Sequence, residues 1–271
     1  MNTNSNTYTV IYSIILVVVV AAVLAFAAMF LKPMQDANVK KDTIGQILTA
    51  ATVEGDDILA TYQQEIEKAI LVDINGEEVG TLNVEECEVY GNSDLKRQIA
   101  AEQKALPVYI FKNGITVVPC YGAGLWGPIW GYIGLDNDLN TIKKACFGHK
   151  GETPGLGAKI TDEPAVFADK FTSKVIGAGE IKFEVAKNVD ADAASAVNAI
   201  SGATITSQSV GKAVNQWFGF YQEYFNKNGV KTECEQPETQ DAPVLTDSAE
   251  AEDTAPEAEA ETETPAETVN E

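Results

Sequence analysis

The chain has 271 residues, 45% of them hydrophobic, and a formal net charge of −21. That length holds one sizeable domain, or two small ones with additions, and the acidity excludes a nucleic-acid binder, which needs a basic face. Twelve of the forty acidic residues, and none of the nineteen basic ones, lie in Gln236–Glu271.

Residues 10–31 read VIYSIILVVVVAAVLAFAAMFL, with no charge before Lys32. A helix of that length spans about 33 Å, enough to cross a bilayer core. Ala25-Phe26-Ala27 has the look of a signal-peptide cleavage site. However, no Lys or Arg precedes the run, and the run exceeds a normal signal core. It is read as a retained single-pass anchor. Lys32, Lys40 and Lys41 follow the span, which by the positive-inside rule alone places the downstream part in the cytoplasm.

Residues 36–70 are helix-rich by pattern. Ile44, Ile47, Leu48 and Ala51 form one apolar set, and Ile58, Leu59, Tyr62, Ile66 and Ala69 another. Strands follow. Ile70–Ile74 leads into Asn75-Gly76, which predicts a type I′ hairpin with a partner around Glu78–Leu82. Leu95–Ala105 is charged and helical. Val108–Phe111, Asn113-Gly114 and Ile115–Pro119 make the clearest hairpin, with Pro119 assigning that strand's end to an edge or terminus. Tyr121–Asp136 interleaves five glycines with Trp126, Trp130 and Tyr132. It reads either as a closely packed strand pair or as a wall that lets a planar ring approach the backbone.

The cysteines, Cys87, Cys120, Cys146 and Cys234, form no CxxC pair and so offer no zinc or iron–sulfur spacing. They read as scattered structural thiols, with two disulfides in any of three connectivities as the alternative. His149 is the single histidine. Alone it builds neither a metal site nor a His-based triad. It is followed by Glu152-Thr153-Pro154-Gly155-Leu156-Gly157, a loop punctuated by Gly and Pro. Glu163–Phe171 reads as a short helix and Ile181–Ala186 as a half-buried strand. From Gln236 the composition is too poor in large apolar residues to order itself, and it is read as a disordered acidic tail.

Ser201-Gly202-Ala203-Thr204-Ile205-Thr206-Ser207 is the stretch around which the chain is organised. Val210, Val214, Trp217, Tyr221 and Phe225 follow at spacings of one helix face. The motif therefore ends at a helix N-terminus. Its hydroxyls read as capping groups for the first amides, and equally as the surroundings of a bound phosphate.

Three ordered segments carry a resemblance. Ser201-Gly202-Ala203-Thr204 resembles the flavinylation motif of the FMN-binding domain family, Asp-x-x-(Ser/Thr)-Gly-Ala-Thr. Gly124-Leu125-Trp126 and Glu152–Gly157 resemble two further signatures of that family. Asn198 stands where the family has Asp. The resemblance implies FMN joined by a phosphoester to Thr204, with Ser201, Gly202, Ala203, Thr153, Gly155, Leu156, Leu125 and Trp126 around it. It implies no catalytic side chain and no metal. With the N-terminal span and the long stretch before the hairpin, residues 8–230 are similar to the C-type subunit family of Na⁺-translocating NADH:quinone oxidoreductases. The G-type subunit of Rnf electron-transport complexes and a non-redox anchored binding module are the alternatives.

The expected fold is α+β: one transmembrane helix, then a mixed helix and antiparallel-sheet FMN-binding domain, then the tail. The expected divisions are 1–9, the span at 10–31, a helical insert with the first strands at 32–106, the domain core at 107–235 and the tail at 236–271. The resemblance further implies an electron carrier on the periplasmic side of a bacterial inner membrane. Its partners would be iron–sulfur and flavin-bearing membrane subunits, with quinone as final acceptor and a flavin transferase for maturation. No Gly-x-Gly-x-x-Gly occurs at a strand–helix turn, so a nicotinamide site is expected elsewhere than on this chain.

Overall fold

The computed structural model describes residues 6–100, 105–177, 182–190 and 192–229. The acidic tail, Cys234 and part of the 95–105 and 181–186 segments fall outside the described residues.

Helix α1 runs unbroken over Asn6–Ala50, with Pro33 inside it. The span and the first apolar set therefore belong to one rod rather than to two helices. Residues 10–31 are exposed throughout, as an apolar stretch long enough to cross a membrane would be before meeting lipid. At the other end Thr43, Ile44, Ile47, Leu48 and Ala50 are buried. The helix stops in a Schellman arrangement. Thr52 takes φ +56°, the Val53 amide reaches the Leu48 carbonyl at 3.0 Å, and the Thr52 amide reaches that of Thr49 at 3.1 Å. Helix α2, Ile58–Glu65, is capped by Asp57, whose carboxylate accepts from the Leu59 and Ala60 amides.

Ile66 and Ala69, expected on a helix, lie in strand β1 (Ile66–Val72), where both side chains are buried. The strands β1, β2 (Glu78–Thr81), β3 (Leu106–Phe111), β4 (Thr116–Ala123), β5 (Pro128–Leu135) and β6 (Ile142–His149) form one antiparallel sheet in the order β2-β1-β3-β4-β5-β6. The β1–β2 turn is not type I′. Only Gly76 takes positive φ, while Asp73 accepts from the Asn75 and Glu77 amides and organises a longer loop. Pro119 lies inside β4, a central strand, and not at an edge or end. It is tolerated because β3 pairs β4 only at Thr116 and Val117, so from there on β4 is bonded on the β5 side alone.

The two faces of the sheet bury different helices. One face, with Val108, Val118, Ile133 and Phe147, packs on helix α5 (Thr204–Asn228) through Val210, Val214, Trp217, Phe218 and Tyr221. The other, with Tyr109, Phe111, Val117 and Tyr132, packs on the end of α1 and on Tyr62 of α2. Helix α3 covers Asn92–Ala100. After one short turn, α4 (Lys159–Asp162), the 163–171 segment forms two 3-10 turns (Pro164–Val166 and Ala168–Phe171) rather than one helix, because Pro164 interrupts an α ladder. They bring Phe167 and Phe171 against Phe147. Strands β7 (Glu184–Ala186) and β8 (Ala196–Asn198) pair in parallel beside α5. The fold is α+β, as the sequence predicts.

Candidate functional site

Helix α5 starts at Thr204, two residues after Gly202, which takes φ +80°, a left-handed turn that suits glycine. Its N-cap residue is Ala203, which has no side-chain oxygen to offer, and its first turn carries no acidic residue. The helix therefore presents its positive end without a cap of its own, a setting that favours an anion.

The three hydroxyls at this helix start are not equivalent. Thr206 is 1% exposed, and its Oγ1 donates to Glu152 Oε2 at 2.7 Å. Ser207 is 0% exposed; its Oγ donates to the Ala203 carbonyl at 2.9 Å and accepts from the Ile200 amide at 3.0 Å. Neither caps the Val210 or Gly211 amide, since both side chains turn back into the core. Thr204, two positions before Thr206, lies about 200° away around the helix and is half-buried.

The three signature segments meet here, and Glu152 joins them. Its Oε1 accepts from the Trp126 amide at 3.0 Å while Oε2 holds Thr206, and its own amide donates to His149 Nδ1 at 3.2 Å. His149 is thus a hydrogen-bonded strand-end residue. Leu156 reaches the helix start directly: a Cβ on Gly202 would lie 3.0 Å from Leu156 Cδ2. Thr153, Gly155 and Leu156 form an exposed turn closed by the Leu156 and Ala158 amides on the Thr153 carbonyl. Leu125, Trp126 (69% exposed) and Leu156 on the signature segments, and Ile205 beside Thr204 in the chain, leave apolar surface in solvent. Ser201 and Gly202 are also exposed, whereas Ala203 is buried.

The glycine-rich strand pair is a packing device and not a wall open to a ring. A Cβ on Gly122 would meet Ala213 of α5 at 2.8 Å, one on Gly131 would meet Phe147 at 2.4 Å, and one on Gly134 would meet the Ala50 carbonyl. Only the turn at Gly124 belongs to the site. Cys87, Cys120 and Cys146 are free thiols. Among the described residues no cluster of His, Cys, Asp and Glu could hold a metal.

Glu152 is the site residue that sequence reasoning passes over. The loop is legible by its Gly and Pro, and a carboxylate in such a loop ordinarily faces water. Asn198 has a role of its own: its Nδ2 donates to the Val189 carbonyl and its Oδ1 accepts from the Val189 amide, each at 2.9 Å.

Residues 124–219 match the FMN-binding domain family. The C-type subunit of the Na(+)-translocating NADH-quinone reductase of Neisseria meningitidis serogroup A is 30% identical over 230 residues, covering 76% of this chain and 88% of the relative. That of Haemophilus ducreyi is 29% identical, covering 79% and 90%. Among solved structures, the C-type subunit from Parabacteroides distasonis superposes with a TM-score of 0.62 at 35% identity, over 72% of this chain and 96% of its own. NqrC of Shewanella oneidensis gives 0.59 at 28%, over 70% and 98%. With this fold, these three signatures and relatives matched over most of their length, the chain belongs to the NqrC family, the C-type subunits of Na⁺-translocating NADH-quinone reductases.

Proposed function

We propose that the chain is the membrane-anchored, electron-carrying subunit of a Na⁺-translocating NADH:quinone reductase, with FMN joined to Thr204 Oγ1 through a phosphoester. The observation that carries this reading is the sorting of hydroxyls at the start of α5. Thr206 and Ser207 are buried and engaged in hydrogen bonds, and Thr204 is half-buried, with part of its surface open to solvent. A phosphodiester there would sit at a helix N-terminus whose N-cap residue and first turn carry no acidic side chain of their own.

Ser201, Gly202 and Ala203 would border the phosphate. Thr153, Gly155, Leu156, Leu125 and Trp126 would border the ring, their exposed apolar surface replacing water on part of it. Once bound, FMN supplies the electron exchange; the chain's own groups fix its position and surroundings. Covalent attachment retains the cofactor on the periplasmic side of a bacterial inner membrane, where free FMN would not replenish it. Iron–sulfur and flavin-bearing membrane subunits are the electron partners, quinone is the final acceptor, and a flavin transferase loads Thr204.

The test is production of the full chain with an active flavin transferase. The wild type should carry an FMN-sized adduct on the Thr204 peptide, and Thr204→Ala should lose it while unfolding at the same temperature. An adduct on Thr206 or Ser207 of the Thr204→Ala protein would reassign the acceptor. For topology, a reporter that works only after export, fused after Glu235, should be active.

A further inference from the structure

We infer that Glu152 is the positioning residue of the site: its buried carboxylate fixes the rotation of the α5 start and the seat of the Trp126 loop, and its charge holds down the reduction potential of a flavin carried on Thr204. This inference rests on the flavin reading above.

A buried carboxylate is costly unless its oxygens are satisfied. Glu152 is 4% exposed, and among the described residues no Lys or Arg forms an ion pair with it. Its oxygens instead accept from one donor on each of two segments, the Trp126 amide and the Thr206 hydroxyl. An apolar side chain could fill the same volume but could not link those donors.

The surroundings are cut to fit it. A Cβ on Gly124 would lie 2.5 Å from Oε1, and one on Gly157 would lie 2.6 Å from Oε2 and 2.9 Å from Thr206 Oγ1. Two glycines of the signature segments thus make room for this one carboxylate. The link also has a geometric consequence. Drawing Thr206 inward turns Thr204 away from that side, because the two lie about 200° apart on the helix. The same carboxylate lies one hydrogen bond from the loop that bears Leu125 and Trp126. Negative charge held in low dielectric next to a flavin opposes the arrival of electrons, so removing it should raise the midpoint potential.

The experiment uses the full chain in detergent, produced with a flavin transferase, as wild type, Glu152→Gln, Glu152→Ala and Thr206→Val. Loading of the Thr204 peptide is followed by mass spectrometry, the midpoint potential by spectroelectrochemistry, and folding by thermal unfolding. Glu152→Gln keeps an acceptor for Trp126 and a partner for Thr206, so it should load fully and show a higher potential. Glu152→Ala and Thr206→Val should remain folded yet load more slowly, by about ten- to 100-fold, the effect of misplacing a reacting group by up to about 1 Å. Wild-type loading rates in these two, with an unchanged potential in Glu152→Gln, would reduce Glu152 to a packing residue and overturn the inference. A wild-type chain with no flavin on Thr204 would instead overturn the flavin reading, and this inference with it.

Discussion

The carbonyl oxygen of Ala50, the last residue of α1, presses on Gly134 of β5 so closely that a Cβ there would lie 2.0 Å from it. The helix that carries the apolar span is thus seated directly on the sheet that carries the site. Gly134→Ala should push the α1 end off the sheet and destabilise the domain by about 1–3 kcal/mol, the usual range for overpacking. Gly219→Ala is the control. Gly219 lies in α5 with no atom within 4 Å of its would-be Cβ, so that variant should gain about 0.5–1 kcal/mol of helix propensity. Urea unfolding of both in detergent checks the pair, and a Gly134→Ala protein as stable as wild type would mean that α1 is not docked there.

Several of these features are legible in the chain and others are not, for physical reasons. Val210, Val214, Trp217 and Tyr221 share a helix face because burial on a flat sheet demands that period, so α5 and its start at Thr204 can be read directly. Glu152 cannot. Its partners are 26 and 54 residues away, and no local pattern marks a carboxylate whose donors arrive from other segments. Strand β8 is three residues in an Ala- and Asp-rich run, too short for an alternation to show. The Pro119 rule fails at the level of the strand but holds at the level of the hydrogen bond, since β3 has ended its pairing with β4 by that point.

Tyr62 supplies a second test. It is fully buried against Phe111, and its hydroxyl has no hydrogen-bond partner among the described residues. A buried unsatisfied hydroxyl costs about 1–3 kcal/mol. Removing it while keeping the ring should therefore relieve the fold: Tyr62→Phe should be at least as stable as wild type, by up to about 1 kcal/mol in urea unfolding. A loss of stability would reveal a partner such as an ordered water.

Burial also governs the thiols. It pushes Cys146 up from 9.0 to about 11 and Cys120 up to about 12. The thiolate is the reactive form, so at pH 8 Cys146 should alkylate about 100-fold more slowly than a thiol at the ordinary value. Because the group is still below its midpoint, the rate should climb about tenfold per pH unit between 8 and 10. Mass spectrometry of the Cys146 peptide after timed iodoacetamide treatment measures this. A rate that levels off by pH 9.5 would show that the thiol titrates in its usual range.

The last prediction concerns Asn198, where the FMN-binding family pattern has Asp. Here the amide side chain both donates to and accepts from the backbone of Val189, closing the segment between β7 and β8. Asp could keep the acceptor but not the donor, and it would set a carboxylate oxygen against the Val189 carbonyl, where the two now meet through an N–H at 2.9 Å. Asn198→Asp should therefore lose about 1 kcal/mol, the usual net contribution of one hydrogen bond between part-buried groups. It should not speed flavin loading on Thr204. The contrary result, an Asp variant that is equally stable and loads faster, would show that position 198 serves the transferase rather than the fold. Comparing the two readouts in one protein separates these roles, because the clasp acts on stability and a recognition contact acts on rate.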